Sequence, residues 1–161
     1  MAASFEFDTP VVRDLSNRGI PFRVFIHPGE VRSLEQAAAE RGQKPEQVVR
    51  SILFRISEGE MIMVLAPGPA QISWPRLRAY LGVSRIAMAT SDEVVRFTGY
   101  QPGSVSPFGL PKPMRILVDE KVFEPDEISI GSGLRNATLI LKREDMRRAL
   151  GDAEVACFVA C

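Results

Sequence analysis

Two strongly apolar segments in the first half of the chain constrain its fold more than any other feature. They occupy residues 48–56 and 61–66, and the polar residues 57–60 lie between them. Apolar runs rich in β-branched and aromatic residues, separated by a short polar segment with a glycine, are typical of two antiparallel strands joined by a turn. We therefore predict a hairpin with a four-residue turn at the centre of the fold.

Capping signals place short helices around this hairpin. Ser33 with Gln36, and Thr90 with Glu93, have the spacing of a capping box. The sequence predicts helices at residues 10–18, 34–41, 74–81, 92–98 and 143–150, and further strands at 22–26, 85–89, 114–118, 127–130, 137–142 and 154–159. Strands outnumber helices and do not alternate regularly with them, which favours the α+β class over a doubly wound sheet. Without a repeat or a linker, we predict one domain over residues 1–161.

The charge balance argues against one class of function. The 161 residues include 20 Lys and Arg and 20 Asp and Glu, so the formal net charge is zero. A protein that holds nucleic acid by neutralising many phosphates would be basic. Only a local basic patch remains open.

Cysteine usage and hydropathy indicate the compartment. Cys157 and Cys161 are the two cysteines, too few for the disulfide framework of a small secreted domain. The first ten residues lack a signal peptide's pattern, and no apolar stretch approaches the roughly 20 residues of a membrane helix. We expect a cytosolic protein, with Cys157 packed as a small apolar residue and Cys161 a loose end.

Metal and nucleotide sites find little support. His27 is the single histidine, and the two cysteines have no partner pair at metal-ligand spacing. Gly131, Ser132 and Gly133 miss the last glycine of the dinucleotide fingerprint and link two predicted strands. They form either a plain hairpin turn or a set of backbone N–H donors for an oxyanion or phosphate.

The sequence also contains few candidates for the nucleophile and the general base of a hydrolase. Residues 103–107 do not form the Gly-x-Ser-x-Gly nucleophile elbow. His27 is either a general base or, beside Pro28, a residue at a strand end. Arg50 is more informative, because a guanidinium within the apolar residues 48–54 either meets a carboxylate, a phosphate or a cleft, or lies on a solvated face, as Arg55 is expected to do.

A long loop at residues 100–113 holds four prolines and two glycines between regular elements, where such loops are often functional. With the residues before it, residues 98–109 read TGYQPGSVSPFG. This segment resembles the glycine-rich loop of the YbaK/EbsC family, also called the prolyl-tRNA-synthetase-associated domain. Residues 48–54, residues 128–141 and the pair His27 and Pro28 are similar to further family segments. The resemblance covers about residues 22–150.

Members of that family are free-standing aminoacyl-tRNA deacylases or editing insertions of synthetases. The resemblance therefore implies an α+β domain with a curved, mixed, largely antiparallel sheet or barrel packed by short helices. It implies a trans-editing enzyme that hydrolyses the ester of a small mischarged amino acid, such as cysteine, alanine or serine, on tRNA. The alternatives are a non-catalytic module that binds the tRNA acceptor end or a small ligand, and a hydrolase of another activated ester or amide.

The resemblance also implies the site residues. Arg50 stands where the family usually has a lysine, and we expect it to be the cation of the site, with Ser51 orienting a hydroxyl or water and Gly103 offering a backbone donor. We expect His27 at the rim and the substrate pocket to be formed by further residues, Tyr100, Pro102, Ser104, Ser106, Phe108, Gly131, Ser132 and Gly133.

No cofactor and no metal follow from the resemblance. The expected partner is the tRNA acceptor end, bound weakly and with strong salt dependence because the chain has no net charge. A synthetase or an elongation factor is a possible further partner, and a membrane is not.

Overall fold

The predicted hairpin lies in the middle of the larger of two β-sheets. The structure is a computed structural model, and it describes residues 7–160. The strands are β1 (Arg23–Ile26), β2 (Val49–Ser57), β3 (Glu60–Pro67), β4 (Ala87–Met88), β5 (Arg115–Asp119), β6 (Glu127–Gly131), β7 (Ala137–Lys142) and β8 (Glu154–Ala156). Strands β2 and β3 form the hairpin, which confirms the prediction. Its turn is shorter than expected, because Ser57 and Glu60 already pair as strand residues.

The larger sheet has the order β4-β2-β3-β5-β8 and the smaller one β1-β7-β6. Every pairing is antiparallel except β3 with β5 and β5 with β8. Among the described residues the sheets meet through one bridge, Val48 to Ser129. The mixed, largely antiparallel α+β architecture is therefore as predicted, but the strands form two open sheets and not a closed barrel.

Five helices surround the sheets in the described part of the chain, with two short 3-10 helices that have no counterpart in the sequence prediction. They are α1 (Pro10–Asn17), α2 (Leu34–Glu40), α3 (Trp74–Leu81), α4 (Ser91–Thr98) and α5 (Arg143–Leu150), and the 3-10 helices are Pro45–Gln47 and Glu120–Phe123. The side chains of Thr9, Ser33, Ser73 and Thr90 accept the backbone N–H that begins each of the first four helices.

One predicted capping box is only half formed. Ser33 accepts the N–H of Gln36, but the side chain of Gln36 accepts the N–H of Arg32 and donates to Glu30 and Glu40. The box at Thr90 and Glu93 is complete. Gln36 is therefore available to hold Glu40, and this contact bears on the site below.

The last strand was predicted at residues 154–159, but β8 ends at Ala156. The buried carboxylate of Asp119 accepts the N–H groups of Phe158 and Val159, so these residues leave the sheet ladder after Ala156. Cys157 is half-buried and accepts a hydrogen bond from Arg76 at 2.7 Å, so it is not purely an apolar packing residue. Cys161 lies outside the described residues.

The hairpin separates two apolar clusters. Met61, Met63 and Leu65 of β3 contact the larger cluster, which includes Ile128 and Leu139 of the smaller sheet. Their neighbours in β3 contact the second cluster with Phe54, Leu77 of α3 and Phe158. Strand β3 is thus buried on both faces, which explains its uninterrupted apolar sequence. Among residues 7–160 no helix combines the length and apolar character needed to cross a bilayer.

Candidate functional site

A cavity of about 350 Å³ lies where the start of β2 meets β6 and β7 of the smaller sheet. Its wall contains five residues that the sequence analysis assigned to the site: His27, Arg50, Ser51, Gly103 and Gly131. These residues come from four separate segments of the chain. The fold therefore brings part of the predicted constellation together.

Arg50 and Ser51 are adjacent on β2, and both carry polar atoms without a hydrogen-bond partner among the described residues. These atoms are Nε of Arg50 and Oγ of Ser51, and both are buried. Nη2 of Arg50 donates to the carbonyl of Ala70, which holds the side chain in place. Burial lowers the pKa of the Arg50 guanidinium, but an arginine stays protonated at neutral pH. The two orphaned groups are ready for a ligand, since an unpartnered buried polar group costs about 1–3 kcal/mol.

Arg41, directly after α2, is a cavity residue that the sequence analysis did not identify. Its Nη2 donates to Ser129 Oγ at 2.9 Å and its Nη1 to His27 Nε2 at 3.1 Å. Its Nη1 also reaches Thr138 Oγ1 at 3.4 Å, and its Nε donates to Gln43 at 3.1 Å. Burial lowers its pKa, which the Glu40 charge partly offsets. All these acceptors are neutral, so the cavity wall carries a fixed positive charge.

His27 lies beneath Arg41 and not at an open rim, because its side chain is only 2% exposed. Its Nδ1 is 2.6 Å from Glu40 Oε1. An arginine can only donate, so Nε2 accepts from Arg41 and Nδ1 carries the proton that bonds Glu40. Hydrogen bonds from Gln36 and His27 lower the pKa of Glu40. Both ring nitrogens thus already have hydrogen-bond partners. His27 therefore positions Arg41 and has no free nitrogen to contact a substrate.

The glycine-rich loop contributes Gly103 and Val105 to the cavity wall, but four of its predicted pocket residues are buried elsewhere. The hydroxyl of Tyr100 donates to the carbonyl of Phe108 at 2.5 Å, and burial with the Asp14 charge raises the pKa of Tyr100. Ser104 and Ser106 bond to backbone atoms of the same loop. These four side chains stabilise the loop and do not line the cavity.

Pro102 also lies off the cavity wall, but it connects to it. Its carbonyl accepts two hydrogen bonds from Arg135, at 3.2 and 3.1 Å, and Arg135 lines the cavity. Arg135 lies in the turn between β6 and β7, so this contact ties the loop to the smaller sheet. It places a third guanidinium at the site.

The turn after β6 supports the loop more than it offers free donors. Ser132 is fully buried and its hydroxyl bonds to the backbone of Leu134 and Ala137. The N–H of Gly133 donates to the carbonyl of Ser104 at 3.1 Å, so it is not available to an oxyanion. Gly131 lines the cavity, and a Cβ there would lie 2.1 Å from the carbonyl oxygen of Val105. Among the described residues, no group of three His, Cys, Asp or Glu side chains is placed to hold a metal ion.

Known proteins are similar to this chain over most of its length. The family model of the aminoacyl-tRNA editing domain matches residues 27–149. Proline–tRNA ligase of Staphylococcus aureus strain Newman is 31% identical over 107 residues, which are 66% of this chain and 18% of that enzyme. The same values hold for that ligase in strain JH1. The chain thus spans about a fifth of the length of these curated relatives.

Two crystal structures are similar over 94% of this chain, each with a TM-score of 0.85. One is a hypothetical protein, 26% identical and covered over its full length. The other is a candidate trans-editing enzyme for prolyl tRNA synthetase, 25% identical and covered over 96% of its length. Taken with the match over most of the chain, these similarities show that the chain belongs to the aminoacyl-tRNA editing domain family.

Proposed function

We propose that this chain is a free-standing editing domain that hydrolyses the ester between a small mischarged amino acid and tRNA. One observation carries the proposal: Arg50 Nε and Ser51 Oγ, adjacent in the wall of a cavity, are buried and have no partner within residues 7–160. The ester and ribose oxygens of an aminoacyl-adenosine end are acceptors of the kind these groups need. Binding the substrate would satisfy both.

The reaction needs little more than positioning. A water oxygen attacks the ester carbonyl carbon, the bond from that carbon to the ribose oxygen breaks, and a proton ends on the ribose hydroxyl. An aminoacyl ester is already activated, so the described wall residues act by holding it in place and by stabilising the tetrahedral oxyanion. In this proposal Arg50 supplies the charge, Ser51 orients water or a ribose hydroxyl, and the backbone at Gly103 and Gly131 shapes the pocket.

No side chain described in the cavity wall is a free base at neutral pH. Both nitrogens of His27 are occupied, and the three arginines stay protonated. The proton of the attacking water must therefore pass to solvent or to the substrate itself. This supports a mechanism that depends on substrate geometry more than on a protein base.

The size of the cavity supports a small amino acid. Its 350 Å³ is near the lower end of ligand pockets, which hold about 300–1,000 Å³. A second sieve of this size that must also hold the ribose ester would favour alanine, serine or cysteine over larger side chains. Apolar fit alone separates substrates that differ by one methylene by only about 10 to 200-fold, so more than one small amino acid is expected to react.

The test is hydrolysis of tRNAs that carry alanine, cysteine, serine, threonine or proline, each with the wild-type chain and without enzyme. Selective loss of one or more small amino acids would support the proposal and identify the substrate. No acceleration by a folded protein would refute it.

A second candidate is a non-catalytic module that binds the acceptor end. It is favoured by the contact between Arg50 and the carbonyl of Ala70, which restrains the cation at the position where the related family usually has lysine. In either case we expect weak binding of the acceptor end, because the chain has no net charge. A tight complex that resists salt would contradict this expectation, while a synthetase or elongation factor that strengthens binding would agree with it.

A further inference from the structure

The cavity has an unusual balance of charge. Three guanidinium groups line it, those of Arg41, Arg50 and Arg135, and no aspartate or glutamate is among its described wall residues. They come from the end of α2, from β2 and from the turn after β6, so the positive charge surrounds the space from several sides. A bound ligand therefore meets cations in the wall and no carboxylate.

Elsewhere in the described chain, most arginines are paired with carboxylates. Eight of them form such ion pairs, namely Arg13, Arg18, Arg23, Arg32, Arg55, Arg115, Arg143 and Arg148. The three cavity arginines bond only to neutral acceptors in the described structure. The charge of the three cavity arginines is thus not neutralised by an ion pair in the described structure.

The carboxylates behind the wall are already engaged. Glu40 bonds His27 at 2.6 Å and Gln36 at 2.9 Å, and it acts on Arg41 by its charge without a direct hydrogen bond. Glu127 pairs with Arg23 at 3.0 Å and accepts from Gln43 at 3.4 Å. Within residues 7–160, no carboxylate in the cavity wall is therefore positioned to receive a cationic group of the substrate.

The positive charge of the wall affects the binding of one group of an aminoacyl ester, its α-amino group. Its α-amino group resembles a chain N-terminus, whose pKa is about 7.7–8.0, so charged and neutral forms coexist near neutral pH. An ammonium group in the cavity would be repelled by the arginines and would find no carboxylate to compensate its lost hydration. A neutral amine, or a hydroxyl in its place, carries no such cost.

Given the proposed function, we propose that the cavity accepts the aminoacyl ester with its α-amino group uncharged, and equally accepts α-hydroxyacyl esters that lack this group. The specificity then rests on the protonation state of the substrate in addition to the size of its side chain. Arg41 and Arg135 act with Arg50 as the residues that exclude the ammonium form.

The test compares alanyl-tRNA with lactyl-tRNA, which has a hydroxyl in place of the amino group, at pH 6.5 and 8.5 after subtraction of spontaneous hydrolysis. Changes in the rate that come from the hydroxide concentration or from titration of the protein affect both esters alike, so they cancel in the ratio of the two kcat/KM values. The neutral amine rises from about 5% to about 80% over this range for a pKa near 7.8. We expect the alanyl to lactyl ratio to rise about 15-fold with it. Seryl-tRNA and glyceryl-tRNA form a second pair if the panel favours serine.

The outcomes separate the two proposals. If no ester of these pairs and no aminoacyl-tRNA of the five-member panel is hydrolysed above the control, the proposed function fails and this inference fails with it. If the aminoacyl ester is hydrolysed and the ratio stays flat or falls with pH, the deacylase stands and the inference is overturned.

A variant pair tests the cause. Thr138 lines the cavity and contacts Arg41, so Thr138→Asp adds a carboxylate there, whereas Thr138→Asn adds a similar shape without charge. The pH dependence of the ratio should weaken in the aspartate variant and persist in the asparagine variant, with thermal unfolding showing that both are folded. Equal slopes in two folded variants would contradict the electrostatic explanation.

Discussion

The Cβ atom that Gly131 lacks would lie 2.1 Å from the carbonyl oxygen of Val105, so strand β6 and the glycine-rich loop touch backbone to backbone. Gly131→Ala must push the loop away from the cavity wall. We expect a loss of about 1–3 kcal/mol in the free energy of unfolding, as for other overpacked sites, and a loss of deacylation. Urea unfolding and the tRNA assay measure these effects. Gly29→Ala is the control, because a Cβ there meets open space; equal effects of both changes would contradict the close contact.

Arg50→Lys and Arg50→Ala should both reduce kcat/KM by about tenfold or more, because a hydrogen bond to a charged group contributes about 1.5–3 kcal/mol. Lysine keeps the charge but cannot reproduce the planar fork that reaches both the carbonyl of Ala70 and the cavity. Arg55→Lys is the control on the same strand, where the ion pair with Glu93 needs only a charge. Turnover that appears only in Arg50→Lys would favour the binding module as the natural state.

His27→Ala should destabilise the fold and disorder Arg41. Removing the imidazole leaves the Glu40 carboxylate without one of its donors and Arg41 Nη1 without its nearer acceptor, so the variant should unfold at a lower urea concentration. His27→Gln offers one donor and one acceptor and should recover part of the loss. Unfolding in urea gives the stability, and a larger effect on KM than on kcat would show that Arg41 acts in binding. Full activity of the alanine variant would contradict the positioning role.

Acid should weaken the fold through Glu40. Its pKa is lowered from the ordinary 4.5 by hydrogen bonds from Gln36 and His27, so its contribution to stability is complete above pH 4.5 and is lost as the pH falls through the lowered value. Glu40→Gln removes this group, and its melting temperature should fall less than that of the wild type between pH 6 and pH 3. Glu58→Gln, in the exposed hairpin turn, should follow the wild type. Parallel acid profiles for all three proteins would refute the prediction.

Tyr100→Phe should loosen the glycine-rich loop. The tyrosine hydroxyl is buried and donates to the carbonyl of Phe108 at 2.5 Å, so its loss should cost about 1–2 kcal/mol of unfolding free energy. Tyr80→Phe removes a hydroxyl that bonds Glu154 at an exposed position and should change stability by about 0.5 kcal/mol or less. Thermal unfolding of the two variants decides between a structural and a neutral role.

The local features of the fold could be predicted because their signals are local. Strand β7 and helix α5 begin and end at the predicted residues, and the capping threonine and serine residues start their helices as expected. The pairing of the strands could not be predicted in this way, because the apolar pattern of one strand does not identify the strand that lies beside it. The parallel pairing of β3 with β5 and the division into two open sheets depend on contacts between distant segments.

The site was predicted in part for a similar reason. Arg50 was noticeable because it interrupts an apolar strand. Arg41 was missed because an arginine at the end of a helix is typical of a solvated C-terminus. A usable signal existed in Ser129 and Thr138, which interrupt the apolar sequences of β6 and β7 and both accept hydrogen bonds from Arg41. The predicted loop side chains failed as wall residues because burial within the loop satisfies them first.

The pairing of β1 with β7 also determines when the cavity can form. The β2–β3 hairpin joins neighbours and can fold early, whereas β1 and β7 come from opposite ends of the chain. Contacts of such large sequence separation are made late, because the loop between them must first be closed. We therefore expect a nascent or partly unfolded chain to possess the strand that carries Arg50 before it possesses the cavity, which we expect to be among the last features to form during folding.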